Sequence, residues 1–178
     1  MTKHNFPLSE VYSLLEPGPV IMISTSHKGK TNVMPMSWQT MIDFEPPLVG
    51  LIISNMNHTF GMLKATKECV INIPTANIAK KVVACGNVSG RKVDKFKKFG
   101  LTKAPASKVK VPLVDECYAN LECKVVDSKL ATKYNLFVVK VVKAWIDPKV
   151  KNPKIFHHNG HGKFTVGGKS MKIHFRLK

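Results

Sequence analysis

Short apolar runs rich in β-branched residues recur along the chain, and they constrain its fold more than any other feature of the sequence. Each run has five to eleven residues, which is the usual length of a strand. The runs cover residues 20–25, 48–54, 69–73, 119–127 and 136–146. Since the last two runs alternate between apolar and polar residues on either side of a turn, they predict a pair of antiparallel strands.

Helical patterns are short and do not alternate regularly with these strands. They predict helices over residues 8–15, from about Thr59, over 78–84 and over 92–99. Residues 103–112, rich in Lys, Pro and Ala, are interpreted as an exposed connection, and residues 170–177 alternate like a further strand. Five or six strands without a βαβ pattern predict a mainly β fold, a closed antiparallel barrel with short helical insertions. A chain of 178 residues without a repeat or linker is expected to form one domain, 1–178.

The expected compartment follows from what the sequence lacks. No stretch approaches the roughly 18 consecutive apolar residues that span a bilayer, and residues 1–7 lack the apolar core of a secretory signal. The four cysteines form no CxxC pair, and two of them lie in apolar runs where a free thiol behaves as a small hydrophobe. We therefore expect a cytoplasmic protein with reduced cysteines, no membrane contact and no zinc site.

The net charge of +17 is concentrated in one part of the chain. Residues 61–178 hold 25 basic and 7 acidic residues, a net charge of +18, and all but two of the basic residues of the whole chain are Lys. Proteins that read nucleic acids usually rely on Arg for base contacts and on aromatic rings for stacking. A basic, non-enzymatic nucleic-acid-binding barrel is therefore kept as an alternative, and an acidic partner protein is the preferred explanation of the charge.

A first group of polar residues follows an uncharged segment, residues 31–42. We interpret this segment as a strand and an irregular rim, because Pro35 cannot donate a hydrogen bond within a central strand. Ser37, Trp38, Gln39 and Thr40 place two hydroxyls, an amide and an indole side by side. Such a set suits a phosphate and a planar heterocycle. In the alternative interpretation, Trp38 is a core residue and the hydroxyls cap backbone groups.

Two further polar groups adjoin predicted helices. Ser54, His58, Thr59 and Phe60 follow an apolar strand at the start of a helix, where free N–H groups and the helix dipole favour a phosphate. An ordinary helix cap is the alternative. In the third group, Ser89 and Arg91 lie in a loop shortly before Lys95, so that fixed cations are available for a phosphate or a dinucleotide substrate. Charged loop residues that are merely solvated are the alternative there.

Motifs of other chemistries are missing, and one metal-like cluster remains. The sequence has no GxSxG, no P-loop and no GxGxxG with a ribose-binding acid, which removes the main support for a hydrolase, a nucleoside triphosphatase or an ordinary dinucleotide domain. His157, His158 and His161 have the spacing of metal ligands, but no carboxylate or thiolate nearby completes a site. We predict no metal and no catalytic acid, base or nucleophile.

The order of the short motifs along the chain is similar to that of a known family. It runs through Gly18-Pro19-Val20, Thr31-Asn32, Ser37-Trp38, Pro46-Pro47-Leu48-Val49, His58-Thr59-Phe60, Val70-Ile71-Asn72-Ile73, Cys85-Gly86, Ser89-Gly90-Arg91, Asp94-Lys95-Phe96 and Leu121-Glu122-Cys123. With these motifs the chain resembles the flavin reductase-like family, close to the flavoredoxins, over about residues 17–168. No single motif is specific, and the resemblance depends on their number and order.

The resemblance implies an FMN-binding split β-barrel, antiparallel and Greek-key-like, that forms a homodimer with the flavin near the subunit interface. Carried over by position, the residues that line the flavin and its ribityl chain are Asn32, Ser37, Trp38 and Thr40. Thr59 and His58 are expected at the phosphate, with Arg91 and Lys95 completing the anion pocket. Phe164 falls where the family often places an aromatic ring against the isoalloxazine. Gln39, Ser54, Phe60 and Ser89 complete the predicted set.

One departure from the family bears on the source of electrons. Many reductases of the family carry Gly-Asp-His just before the strand that corresponds to residues 136–142, whereas this chain reads Ala131-Thr132-Lys133-Tyr134-Asn135. FMN binding is hardly affected by the change, but direct oxidation of NAD(P)H is put in doubt. The resemblance therefore predicts a flavin-dependent oxidoreductase or electron carrier. An NAD(P)H:flavin oxidoreductase that supplies reduced flavin to a partner is the alternative.

Overall fold

The protein is described from a computed structural model that covers residues 7–10, 12–15 and 18–169. A 3₁₀ turn at Leu8–Glu10 and the short helix α1 at Tyr12–Leu15 lie where one amphipathic helix was predicted. The predicted alternating strand over residues 170–177 lies outside the described residues. Within the described part of the chain, no helix is long and apolar enough to cross a membrane.

The strands of the described chain form one large antiparallel sheet and two small two-stranded ones. In chain order the strands are β1 Ile21–His27, β2 Lys30–Met36, β3 Gln39–Phe44, β4 Pro47–Ile52, β5 Glu68–Ile73, β6 Lys103–Ala104, β7 Leu113–Val114, β8 Ala119–Asp127, β9 Leu136–Ile146, β10 Phe156–His158 and β11 Phe164–Val166. The large sheet has the order β2-β1-β5-β8-β9-β4-β3, while β6 pairs with β7 and β10 with β11. The mainly β prediction is confirmed, and so is the antiparallel pairing of β8 with β9.

Two details of the predicted barrel need correction. The uncharged segment 31–42 contains parts of two strands, and these lie on opposite edges of the seven-stranded sheet. Within the described residues no hydrogen-bonded ladder joins β2 to β3, so the barrel is not closed by hydrogen bonds. Pro35 lies in β2, which is an edge strand, as expected for a residue without a backbone donor.

Four further helices connect the strands: α2 His58–Thr66, α3 Ala79–Gly86, α4 Lys95–Phe99 and α5 Ala131–Tyr134. The prediction of a helix from about Thr59 is confirmed by α2. Asp94 caps α4, since its carboxylate accepts the N–H of Lys97 at 3.2 Å. Gly100 ends α4 in the left-handed conformation that favours glycine.

The core consists of two main clusters on either side of β1. Leu51, Ile53, Leu63 and Phe137 are fully buried in the first, between the sheet and α2. The second lies beneath α3 and α4 and joins Met22, Val82, Cys85, Phe96 and Phe156. These clusters fix the starts of α2 and α4 relative to β2 and β4. The polar groups discussed below are attached to those four elements.

The segment 103–112 is not the exposed connection that its composition predicts. Val109 and Val111 are buried against Val70, and β6 pairs with β7 at its two ends. The backbone of the segment is held by Glu122 of β8, whose carboxylate accepts the N–H groups of residues 107–109. The composition of the segment, rich in Lys and Pro, could not predict this order, because its hydrogen-bond acceptor lies on a strand later in the chain.

Candidate functional site

A cavity of about 680 Å³ opens between β2, the connection from β4 to α2, and the loop that precedes α4. Its volume is typical of a site for a small organic ligand. Nine of the thirteen predicted site residues line it: Asn32, Ser37, Trp38, Ser54, His58, Thr59, Ser89, Arg91 and Lys95. The three polar groups of the sequence are thus brought together by the tertiary structure.

One corner of the cavity is built by Asn32, Thr59 and Gly90. The Asn32 amide nitrogen donates a hydrogen bond to the Thr59 hydroxyl at 2.9 Å, while its Oδ1 is buried without a partner among the described residues. A Cβ at Gly90 would lie 2.0 Å from that Oδ1 and 3.3 Å from the His58 ring. Only glycine lets the loop approach so closely, and the corner retains a buried acceptor to which no described residue donates.

The start of α2 contributes partial positive charge to the same corner. Asn57 occupies the N-cap position with an extended backbone, and its side chain makes no capping hydrogen bond. The first amides of the helix are therefore not capped by a side chain, and Thr59 and His58 lie in its first turn. Because the Thr59 hydroxyl accepts from Asn32, its own proton is free for a ligand oxygen.

Cations dominate the electrostatics of the cavity, and none of the described residues that line it carries a carboxylate. Lys95 is only 4% exposed, and none of the described acidic residues forms an ion pair with it. Burial lowers the pKa of Lys95, an effect opposed by the nearby Cys85 thiol. Burial also lowers the pKa of His58, and the charges of Arg91, Lys95 and Lys30 lower it further. The cavity is therefore suited to an anion.

The loop around Arg91 is attached to the connection between β4 and α2. The Arg91 guanidinium donates to the carbonyl of Met56 at 3.2 Å, and the Arg91 N–H donates to the Ser89 hydroxyl at 3.3 Å. One end of the guanidinium is thus used to hold two loops together. Its remaining N–H groups can reach a ligand at the cavity wall.

Four predicted residues lie elsewhere. Gln39 and Thr40 line a second cavity of about 510 Å³, which shares Ser37 and Trp38 with the first. Phe164 lines a smaller one of about 270 Å³ beside Ser37 and packs 5.0 Å from the His158 ring. Phe60 is not brought to any of these cavities. It points into the core, where its ring meets Phe137 edge to face at 5.2 Å.

Asn135 and His158 line the first cavity, although the sequence analysis did not select them. Asn135 ends α5 in the left-handed conformation, which Asn tolerates better than most residues. Its carbonyl accepts the Ile53 N–H at 2.9 Å and its side chain accepts the Asn55 N–H at 3.0 Å. An Asn directly after a short helical pattern was the only local signal of this role.

The His-rich segment does not assemble a metal site with other ligands. Among the described residues, no three His, Cys, Asp or Glu side chains lie close enough to hold an ion. His161 contacts Glu10 at 2.6 Å, whereas His158 faces Phe164 and the cavities. All four cysteines are buried and unpaired by disulfides.

Comparison with known proteins places this chain in a family. The family model for the flavin reductase like domain matches residues 14–165. The chain belongs to that family. An uncharacterized protein of Pyrococcus abyssi is 36% identical over 133 residues, which cover 75% of this chain and 76% of the relative. The protein YddH of Escherichia coli is 29% identical over 172 residues, which cover 89% of this chain and 91% of the relative.

Solved structures of other flavin reductase-like proteins share the fold. An FMN-binding domain of a flavin reductases-like enzyme from Shewanella baltica is 26% identical and superimposes with a TM-score of 0.83, covering 95% of this chain and 96% of its own. Flavoredoxin of Desulfovibrio vulgaris is 19% identical with a TM-score of 0.86, covering 98% of each chain. The fold is therefore that of the FMN-binding split barrels, as the sequence resemblance implied.

Proposed function

We propose that this flavin reductase-like chain binds FMN non-covalently in the 680 Å³ cavity and acts as a flavin-dependent oxidoreductase or electron carrier. The observation that carries the proposal is the almost fully buried Lys95, which faces the cavity without a carboxylate partner among the described residues. A buried cation without a protein counter-ion is costly unless a ligand supplies the negative charge. A phosphate monoester is such a ligand, and Arg91 and the start of α2 support it from the same side.

The residues present fit the rest of the cofactor. The absent Cβ of Gly90 lets the loop that carries Arg91 pack against Asn32, which in turn holds the Thr59 hydroxyl at the cavity. Trp38, 51% exposed at the far wall, offers a flat face to a heterocycle. The domain from Shewanella baltica, which is described as FMN-binding, supports the same ligand.

When bound, FMN supplies reversible redox chemistry that no protein side chain offers. The tasks of the chain are then to bind, orient and shield. Arg91 and Lys95 would neutralise the phosphate and Thr59 would donate a hydrogen bond to it, while Asn32 orients the Thr59 hydroxyl. The apolar wall formed by Met34, Met36 and Ile52 reduces access of water.

The first test is the visible absorption spectrum of the protein after FMN is added and unbound flavin is removed. We expect retained flavin absorption, and we expect Thr59→Val to weaken FMN binding about tenfold because one phosphate donor is lost. Thr66→Val is the matched control, since Thr66 lies at the other end of α2 and donates to the Met62 carbonyl. Equal retention by both variants would contradict the phosphate site.

The source of electrons distinguishes an electron carrier, reduced by another protein, from an enzyme that oxidises NAD(P)H directly. The segment that replaces the Gly-Asp-His element forms α5, and Asn135 after it lines the cavity. We favour an electron carrier or a reductase supplied by another protein over direct oxidation of NAD(P)H. Rapid bleaching of the flavin on stopped-flow mixing with NADH or NADPH would reverse that preference in favour of an NAD(P)H:flavin oxidoreductase.

We also propose the homodimer that the family resemblance implies. Strand β3 is an edge strand, and its Met41, Ile42 and Phe44 side chains are exposed although they are large and apolar. A second copy of the chain is the occupant that family membership favours for this face. Light scattering during size-exclusion chromatography should give about twice the mass of one chain, 19.8 kDa. Phe44→Glu should shift the protein toward a monomer.

A further inference from the structure

One part of the surface carries far more positive charge than an FMN phosphate needs. Residues 79–104, which include α3 and α4, contain eight basic residues and a single acidic one, Asp94. Lys95 is turned inward to the cavity, and the others are exposed, either on the outer side of these two helices or in the loops that flank α4. We call this exposed surface the basic face, formed by Lys80, Lys81, Arg91, Lys92, Lys97 and Lys98.

Contacts between α3 and α4 hold the basic face together. The Lys81 ammonium donates to the carbonyl of Gly100 at 3.0 Å, which joins α3 to the end of α4. Lys98 lies over the ring of Phe99 at 5.8 Å. The only carboxylate within the face, Asp94, is engaged with the Lys97 N–H as a helix cap. The positive field of the face is therefore not cancelled by a neighbouring acid within residues 79–104.

The basic face is continuous with the mouth of the cavity. Arg91 belongs to both, and Lys95 and Lys97 lie on inward and outward sides of the same short helix. A protein bound to the outer side of α4 would be separated from the cavity by about one helix diameter, roughly 10 Å. A macromolecule attracted by these lysines is thus brought beside the ligand site and not to a remote surface.

The chemistry of the face favours an acidic protein over a nucleic acid. Five of its six cations are Lys, and its only Arg also holds the Met56 carbonyl. Lys provides a hydrated point charge that steers a partner, whereas base readout and stacking need Arg forks and exposed rings. Of the two rings on α4, Phe96 is buried and Phe99 is partly buried with Lys98 over it, so neither is fully exposed for stacking.

We propose that the basic face is a docking surface for an acidic electron-transfer protein. The proposal rests on the proposed flavin function, because a redox partner is useful beside the cavity only if the cavity holds FMN. The occupant is recognised by negative surface charge, and the mode of recognition is electrostatic steering. Docking itself involves no covalent step.

The test uses a plant-type ferredoxin as the acidic probe and the full-length FMN-loaded protein. Its association rate constant, measured by biolayer interferometry, should fall about tenfold between low salt and about 0.2 M NaCl, where the Debye length is below about 10 Å. The triple variant Lys92→Glu, Lys97→Glu, Lys98→Glu should lower it about tenfold at low salt. The matched control Lys124→Glu, Lys129→Glu, Lys140→Glu has the same charge change on exposed residues that do not line the cavity.

The outcomes separate this inference from the proposed function. Equal loss of binding in the two triple variants, or binding that salt does not weaken, would overturn the docking surface. Binding of duplex DNA tighter than that of ferredoxin through the same lysines would overturn it as well. A triple variant with Gln in place of Glu should show the same direction of change, which guards against misfolding. Failure to retain FMN with salt-dependent docking intact would overturn the proposed function and the redox role of the partner, but not the docking surface.

Discussion

Two regions of the molecule bury a charged side chain, and they differ in whether the chain provides hydrogen-bond or ion-pair partners for it. Glu122 on β8 is fully buried and accepts hydrogen bonds from the N–H groups of residues 107–109, from the Ser107 hydroxyl and from the Trp145 indole at 2.7 Å. Lys95 on α4 is almost as deeply buried, but the described acidic residues form no ion pair with it. The Glu122 carboxylate is thus stabilised by hydrogen bonds from the chain itself, whereas the Lys95 ammonium can take its counter-ion from a ligand.

The difference shows how a structural charge and a binding charge are told apart. Burial by itself would raise the pKa of Glu122, but hydrogen bonds from Ser107, Trp145 and Lys108 outweigh it and lower the pKa. At Lys95 burial lowers the pKa, and the Cys85 thiol opposes it only in part. A buried group stabilised in its charged form holds the fold together, whereas one destabilised in its charged form favours binding of a counter-ion.

We expect the largest change in stability when the Glu122 carboxylate is removed. Glu122→Ala leaves several buried donors without an acceptor, and it should lower the free energy of unfolding by about 3 kcal/mol. Urea unfolding at pH 7 measures the change, with Glu45→Gln as an exposed control. A loss as small as that of the control would mean that segment 103–112 is held by its apolar contacts alone.

Protonation of Glu122 at low pH should also destabilise the protein. Because the pKa of Glu122 is lowered on folding, its contribution is fully present above the unfolded value of about 4.3 and is lost as the pH falls through the folded value. Stability of the wild type should therefore decrease more steeply than that of Glu122→Gln below about pH 4. Parallel pH profiles of the two proteins would rule out this linkage.

Removal of the Lys95 charge should change the free energy of unfolding in the opposite direction. Lys95→Met removes a buried charge that has no ion-pair partner in the described part of the chain, so it should raise the free energy of unfolding of ligand-free protein by about 1 kcal/mol. The same change should weaken FMN binding at least about tenfold. Lys97→Met, exposed on the same helix, is the control and should alter both quantities little. Destabilisation of the ligand-free protein by Lys95→Met would show that Lys95 is a structural charge like Glu122.

The smallest expected effect concerns His58. Burial and the charges of Arg91, Lys95 and Lys30 lower its pKa in the ligand-free protein, and a bound phosphate would raise it. FMN binding should therefore take up a proton below about pH 6.5. The affinity ratio of wild type to His58→Gln should increase about threefold from pH 8 to pH 6. The ratio cancels the titration of the phosphate itself, and a constant ratio would exclude His58 as the acceptor.

Local patterns predicted the elements of the site better than their arrangement. The start of α2 at His58 and the loop with Arg91 follow from capping residues and glycine in the sequence. Phe60 shows the limit of such reasoning, because it directly follows Thr59 but packs against Phe137 in the core and does not line the cavity. Asn135 is missed for a related reason, since its place at the cavity depends on the pairing of β4 with β9.

The five apolar runs, the start of α2 and the family could be predicted from the sequence alone, because these depend on patterns within a few residues and on motif order. The sequence also determined the excess of Lys in residues 79–104. Which charges have partners follows from the three-dimensional packing. Glu122 meets the amides of residues 107–109, and Lys95 meets no carboxylate among the described residues, because long-range sheet pairing and helix packing determine the neighbours of each side chain.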